Sequence, residues 1–183
     1  VGNLPSLSSA DADAVRRAVR YLYDLGHRQI ARVGGPESLA HSYIRDSAFA
    51  DVASELGMRY RCLHTDYTPE TGREATKRLL AFSEHPTAII YDNDVMALAG
   101  LGVAASQGIK VPEEISIMSW DDSLMCTAAY PNLTAMGRDV VDTGKQAAGL
   151  LLKLIGGERV GHLMEGPYEL RARASTGPAP AAE

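Results

Sequence analysis

Apolar residues recur along this chain at two alternating periods. Val15, Ala18, Val19, Leu22 and Leu25 fall three and four apart, one face of a helix, and Gly26 can close that helix. Residues 29–33 are a short apolar run stopped by Gly34-Gly35-Pro36, which reads as a strand and its turn. Ala48, Phe49, Val52 and Leu56 return to helical spacing and end at Gly57; residues 60–64 are strand-like again. Thr68-Pro69-Glu70 opens a third helix. Thr68 can cap it, Pro69 suits a first position whose N–H needs no partner, and Glu70 meets the positive end of the dipole. Strands follow at 87–91 and 114–120, separated by a helix from Asn93 to Gln107 that stops at Gly108. A further strand is read at 133–136. Asp139 then caps a helix whose inner face is Val140, Gly144, Ala147, Ala148, Leu151 and Ile155, and short strands are read at 162–164 and 168–173.

The four strands from 29 to 120 come at a regular interval with a helix between each pair. That pattern predicts an α/β fold of three layers, α/β/α, around a mostly parallel sheet covered on both faces. Residues 1–10 read as a linker or tail, and 177–183 as a disordered end.

The bulk numbers narrow the classes. The 183 residues are 45% hydrophobic, enough for a substantial core, and the net charge is -5. Lys and Arg form no basic stripe, so the chain is a poor electrostatic partner for nucleic acid by itself. No apolar run approaches the ~18 residues of a membrane span. Cys62 and Cys126 form no CxxC pair, and read as two reduced thiols of a cytoplasmic protein.

In an open parallel sheet, ligands bind outside the carboxyl ends of the strands. Here those ends are polar throughout. Gly34-Gly35-Pro36 is followed by His41, Ser42 and Arg45; the next ends carry Asp66 and Tyr67, then Asp92, Asn93 and Asp94, then Asp121 and Asp122. Carboxylates accept from neighbouring hydroxyls, an Asn amide donates and accepts, an Arg fork fixes orientation, and a Tyr ring offers an apolar face. Such a set suits a polyol or a base with polar edges. There is no GxSxG, GxGxxG or GxxxxGK[ST]. The five His lack HxxxH or HxH spacing, so zinc is not signalled. Asp92, Asp94, Asp121 and Asp122 are the oxygen ligands Mg²⁺ would take, but neither metal nor cofactor is expected. Each acid also has a plain structural role open to it, as a turn cap or, for Asn93, a helix cap.

Six segments stand in one order: LGHRQIARVGGP, RDSAFADVASELGM, DYTPETGREATKRLL, HPTAIIYDNDVMALAGLGVAASQGIKVPEEISIMSWDD, YPNLTAM and RASTGP. Over about residues 11 to 178 the chain resembles the LacI/GalR type of transcriptional regulator. The resemblance implies a periplasmic-binding-protein-like sensor of two lobes with an effector between them, and a helix-turn-helix headpiece N-terminal to this chain through which DNA is bound. It implies that 11–132 is the second lobe, that 133–160 is a strand and helix returning to the first, and that 161–176 supplies closing strands.

Residue by residue, Arg45 matches the family's effector-binding arginine, three before Ala48-Phe49, although Ala48 replaces the usual Gly. Tyr67 falls where many members carry an aromatic against the ligand, Asn93 in the "ND" pair, and Asp121 at the first acid of the "DD" pair. Arg138 stands where some members have Gln, and His41 and Ser42 flank the same cleft. Asp122, His27 and Trp120 read as structural. The competing reading of Arg45 is an exposed arginine paired with Asp46 or Glu37, and of Tyr67 a surface ring. The helix after Asn93 is apolar nearly all round, so Met96, Ala97 and Leu101 are assigned to a homodimer interface, with burial under the chain's own neighbours as the alternative. The expected partner is a sugar or polyol, then a nucleobase. The rival functions are a secreted solute-binding protein and an enzyme with a carboxylate-rich cleft.

Overall fold

The structure, a computed structural model, describes residues 5–181. The elements are β1 (Ser6–Ser8), α1 (Asp11–Asp24), β2 (Gln29–Gly34), α2 (Ala40–Glu55), β3 (Arg59–His64), α3 (Pro69–Leu80), β4 (Ala88–Tyr91), α4 (Asp94–Ser106), β5 (Ser116–Trp120), α5 (Leu124–Ala128), β6 (Thr134–Gly137), α6 (Val140–Ile155), β7 (His162–Met164) and β8 (Glu169–Arg171). Six strands form one sheet in the order β3-β2-β4-β5-β6-β8, and β1 pairs with β7 in a separate ribbon. Every pairing in the large sheet is parallel except β6 with β8.

Alternation along the strands builds the three layers. Ile30, Ala88, Ile90, Met118 and Trp120 pack with Phe49, Val52, Val19 and Leu22 under α1 and α2. The intervening residues Ala31, Val33, Ile89, Tyr91 and Ile117 pack on the other face with α3 and α4. A period-2 apolar pattern facing helices on both sides gives a sheet buried twice over. Helices α1, α2 and α4 stop where glycine takes a left-handed conformation: φ is 95° at Gly26, 64° at Gly57 and 73° at Gly108.

Four expectations change on the structure. Ser6–Ser8 is a strand rather than linker: it pairs with β7, and Ser6 and Ser8 bond the two ring nitrogens of His162 at 2.9 and 3.1 Å. Residues 1–4 lie outside the described residues. The strand at 134–137 stays in the large sheet, hydrogen-bonded between β5 and β8 and fully buried. Nor does α6 bury the face assigned to it; Val140, Leu151 and Ile155 are exposed, and Leu150 is its one buried residue. The C-terminal end is anchored as far as Ala179, whose N–H donates to Leu25, while the Gly177 carbonyl is bonded by the buried His27. Residues 182–183 lie outside the described residues.

Met96 and Ala97 are wholly buried by the chain's own α3 and sheet, and Leu101 is 9% exposed. A Cβ at Gly72 of α3 would come within 2.8 Å of the Met96 side chain, so the two helices meet at glycine-limited distance. An interface through these three residues is therefore not available; they are core, and α4 is apolar all round because α3 covers its second side.

Candidate functional site

The strand order turns back beside β2: β3 follows β2 in sequence on one side, β4 on the other. The crevice at such a switch point is where an α/β sheet binds ligands. A cleft of about 360 Å³ lies there, lined by residues that follow β2, β3, β4, β5 and β6. The structure brings His41, Arg45, Tyr67, Asn93, Asp121 and Arg138 onto its walls, together with Ser9, Asp11, Asp92 and Tyr168, which sequence reasoning did not assign. Ser42 is fully buried in the first turns of α2, and its hydroxyl has no hydrogen-bond partner.

Arg45 is the buried centre of the site, and neither Asp46 nor Glu37 holds it. Its Nε donates to Asp11 at 2.7 Å, its Nη1 lies 3.5 Å from Asp92, and its guanidinium carbon is 4.5 Å from the centroid of the Trp120 ring. Burial lowers the Arg45 pKa, but Asp92 and Asp11 outweigh it and leave the group above its ordinary value. Burial likewise raises Asp11, but the Arg45 charge and hydrogen bonds from Ser9, Arg45 and Tyr168 overcome this and hold it below the usual carboxylate value. Asp92 is shared. Arg32, 1% exposed in the middle of β2, donates to it through Nε at 2.9 Å and also pairs with Asp46. A sheet residue so deeply buried requires an anion beside it. That is the signal by which Asp92, at the end of the neighbouring strand, was recognisable.

Tyr67 and Asp121 face the cleft from strained backbone. Their φ values are 69° and 70°, in the left-handed region that residues with a Cβ rarely adopt. Such residues persist where surrounding structure holds them, and they cluster at binding sites. Asn93 holds Tyr67: its Nδ2 donates to the Tyr67 carbonyl at 3.1 Å while its Oδ1 caps α4 by accepting from Met96 N–H at 2.8 Å. The Tyr67 hydroxyl bonds His41 Nε2 at 2.7 Å, and the ring covers Gly35 so closely that a Cβ there would fall 1.9 Å from its Cζ. Asp121 has no salt bridge among the described residues. Loss of water to the cleft walls raises its pKa, against the pull of Arg45 and Arg138. Asp122, by contrast, is a clamp: Arg173 and Arg171 bind it at 2.7 and 2.5 Å and lower its pKa.

Arg138 closes the far wall. Its Nη1 bonds Glu165 at 2.6 Å, and its buried Nε has no partner. The third orphaned buried donor is Trp120 Nε1. Ser42, Trp120 and Arg138 are thus the described residues whose buried side-chain polar atoms lack partners; Arg138 lines the cleft, and the Trp120 ring lies against the lining residue Arg45. Buried polar groups are normally satisfied, and of these three only Arg138 is on a residue that lines the cleft. Among the described residues no cluster of His, Cys, Asp or Glu could hold a metal ion, and no helix is long and apolar enough to cross a membrane.

A periplasmic binding protein-like domain model matches residues 19–176. The chain belongs to that domain family, in the form found as the C-terminal part of LacI/GalR transcriptional regulators. It is 34% identical over 179 residues to the HTH-type transcriptional repressor CytR of Escherichia coli (strain K12), covering 94% of this chain and 52% of that one. A solved LacI family transcriptional regulator from Bifidobacterium animalis subsp. lactis DSM 10140 superposes with a TM-score of 0.94 at 61% identity, covering 96% of this chain and 65% of the other. A LacI family regulator from Arthrobacter sp. FB24, solved in complex with lactose, matches with a TM-score of 0.84 at 26% identity, covering 93% of this chain and 65% of the other. The chain spans about half the length of the curated relatives it matches. These named relatives are transcriptional regulators, not enzymes.

Proposed function

We propose that this chain is the effector-sensing part of a LacI-type DNA-binding regulator, and that its cleft holds a small sugar or polyol. One observation carries the reading: five strand ends deliver polar side chains to a single crevice, with Arg45 fixed from below and Asp121 left unpaired. A guanidinium held by Asp11 and Asp92 cannot swing to solvent, so it presents its remaining N–H groups in one orientation. Asp121 accepts from two adjacent hydroxyls, and the Tyr67 and Tyr168 rings offer apolar faces to a sugar's C–H surface. The lactose complex of the Arthrobacter relative supports the ligand class.

In this reading α6, with Leu151, Leu152 and Ile155 exposed, packs into a first lobe, and the ligand is bound between the lobes. Ligand shifts the closure angle by its differential affinity for the two arrangements, and an N-terminal headpiece reads that shift out on operator DNA. No catalytic step is assigned. A second copy is placed on the exposed apolar residues of and after α5, beside α4: Leu124, Met125 and Tyr130, the last 97% exposed. Tyr130→Asp with Met125→Asp converts a sedimenting dimer to monomer if this holds.

The test is thermal stabilisation by a panel of sugars, polyols and nucleobases. A stabilising sugar whose effect disappears in Arg45→Ala and Asp121→Ala supports the reading. A well-folded protein on which a nucleobase acts and no sugar does contradicts the ligand class.

A further inference from the structure

The charge arrangement of the cleft, taken with its role as an effector site proposed above, narrows the ligand further. We propose that the cleft accepts an uncharged polyhydroxylated ligand and rejects its phosphorylated or carboxylated counterpart, with Asp121 as the residue that rejects it.

The walls carry three carboxylates, Asp11, Asp92 and Asp121, against two guanidiniums, Arg45 and Arg138. Both guanidiniums are already neutralised. Arg45 lies between Asp11 at 2.7 Å and Asp92 at 3.5 Å, and Arg138 pairs with Glu165 at 2.6 Å. Arg32 neutralises Asp92 in turn, but Asp46 shares Arg32. The balance that remains at the cleft is negative, and its unpaired charge is on Asp121. A phosphate brings about -1.5 to -2 charges at neutral pH. It would have to displace a carboxylate from one of the two arginines or stand against the unpaired like charge of Asp121.

One feature pulls the other way. The first turn of α2 has neither an acidic residue nor a side-chain cap, so its positive end faces the rim unopposed. That end is equivalent to about half an elementary charge, less than the full charge of Asp121. The positive ends of α1 and α4 are met by Asp11 with Asp13 and by Asp94. Hydroxyls, in contrast, find what they need: charge-assisted acceptance at Asp121, which lines the cleft with no salt bridge among the described residues.

The experiment is calorimetric titration of the complete gene product carrying this chain with matched pairs: ribose and ribose 5-phosphate, glucose and glucose 6-phosphate, glucose and gluconate. The neutral member of the pair that binds is expected to be favoured by about ten-fold or more, with the gap narrowing as salt is raised. Asp121→Asn is expected to narrow it further by strengthening the anionic member. A phosphorylated or acid member that binds as tightly as its neutral partner overturns the charge selection and leaves the effector-site reading standing. A gap that Asp121→Asn does not change overturns the role of Asp121. Absence of binding by every member, to a folded protein, overturns both.

Discussion

The Asp11 carboxylate accepts the Nε–H of Arg45 at 2.7 Å, joining the first turn of α1 to the second turn of α2 beneath the cleft. Both side chains are less than a tenth exposed. Removing one member of a buried pair leaves the other charge uncompensated. Asp11→Ala is therefore expected to cost about 3 kcal/mol in urea denaturation, and to weaken ligand binding through the freed Arg45. Unchanged stability would show that Asp92 alone holds the arginine.

Gly35 and Tyr67 make a second close relationship. The space a Cβ would need at Gly35 is filled by the Tyr67 ring. Gly35→Ala should expel the ring and break its bond to His41, at a cost of about 1–3 kcal/mol. Ligand affinity should fall with it. The check is a melting curve paired with a titration; full affinity with a lowered melt would mean that Tyr67 does not touch the ligand.

Asp121 stands at odds with stability. Its carboxyl is raised in pKa by lost hydration and its backbone is left-handed, a conformation Asn tolerates better than most residues. An acid with a raised folded pKa binds its proton more tightly in the native state, so its ionisation opposes folding once the pH exceeds the ordinary value of 3.8. Asp121→Asn is expected to raise the melting temperature of the ligand-free protein at pH 7 and to weaken, without abolishing, stabilisation by a neutral sugar. A lowered melting temperature would contradict the assignment of Asp121 as a residue kept for binding.

His27 sets the acid limit. It is fully buried, with Nδ1 on Thr87 at 2.8 Å and Nε2 within 3.1 and 3.2 Å of Ser116 and Gly177, and burial lowers its pKa. A histidine with a depressed folded pKa takes up its proton more readily when unfolded. Its stabilising effect is therefore complete above the ordinary value of 6.5 and is lost as the pH falls from there towards the folded pKa. Melting temperature should decline from pH 7 to 5, and His27→Gln should flatten that decline while lowering the melt at pH 7. A wild-type melt flat over this range would contradict the proposed role of His27.

How much of this could be read from the sequence depended on length and periodicity. The parallel sheet was legible because the long strands alternate with apolar-patterned helices, several of them closed by glycine, as at Gly26 and Gly108. β1 was harder: it has three residues and reads only Ser-Leu-Ser, so pairing with β7, whose strand was legible at 162–164, rather than propensity makes it a strand. The all-apolar surface of α4 has two physical explanations, a partner subunit or a second intramolecular neighbour, and only the position of α3 decides between them. For the site, strand ends told where to look. They revealed His41, Arg45, Tyr67, Asn93, Asp121 and Arg138 as lining residues, but not Asp11, which reads as an ordinary first-turn acid, or Tyr168, distant in the chain.

Trp120 is the single tryptophan of the chain, and its ring lies under Arg45 at the floor of the cleft. Its fluorescence therefore reports on this site alone, and titration with neutral sugars while following it is the direct test. The account predicts a saturable change with at least one sugar, absent in Arg45→Ala and in Asp121→Ala. A sugar that stabilises the protein with no change at Trp120, or with the same change in both variants, would place the ligand elsewhere and contradict it.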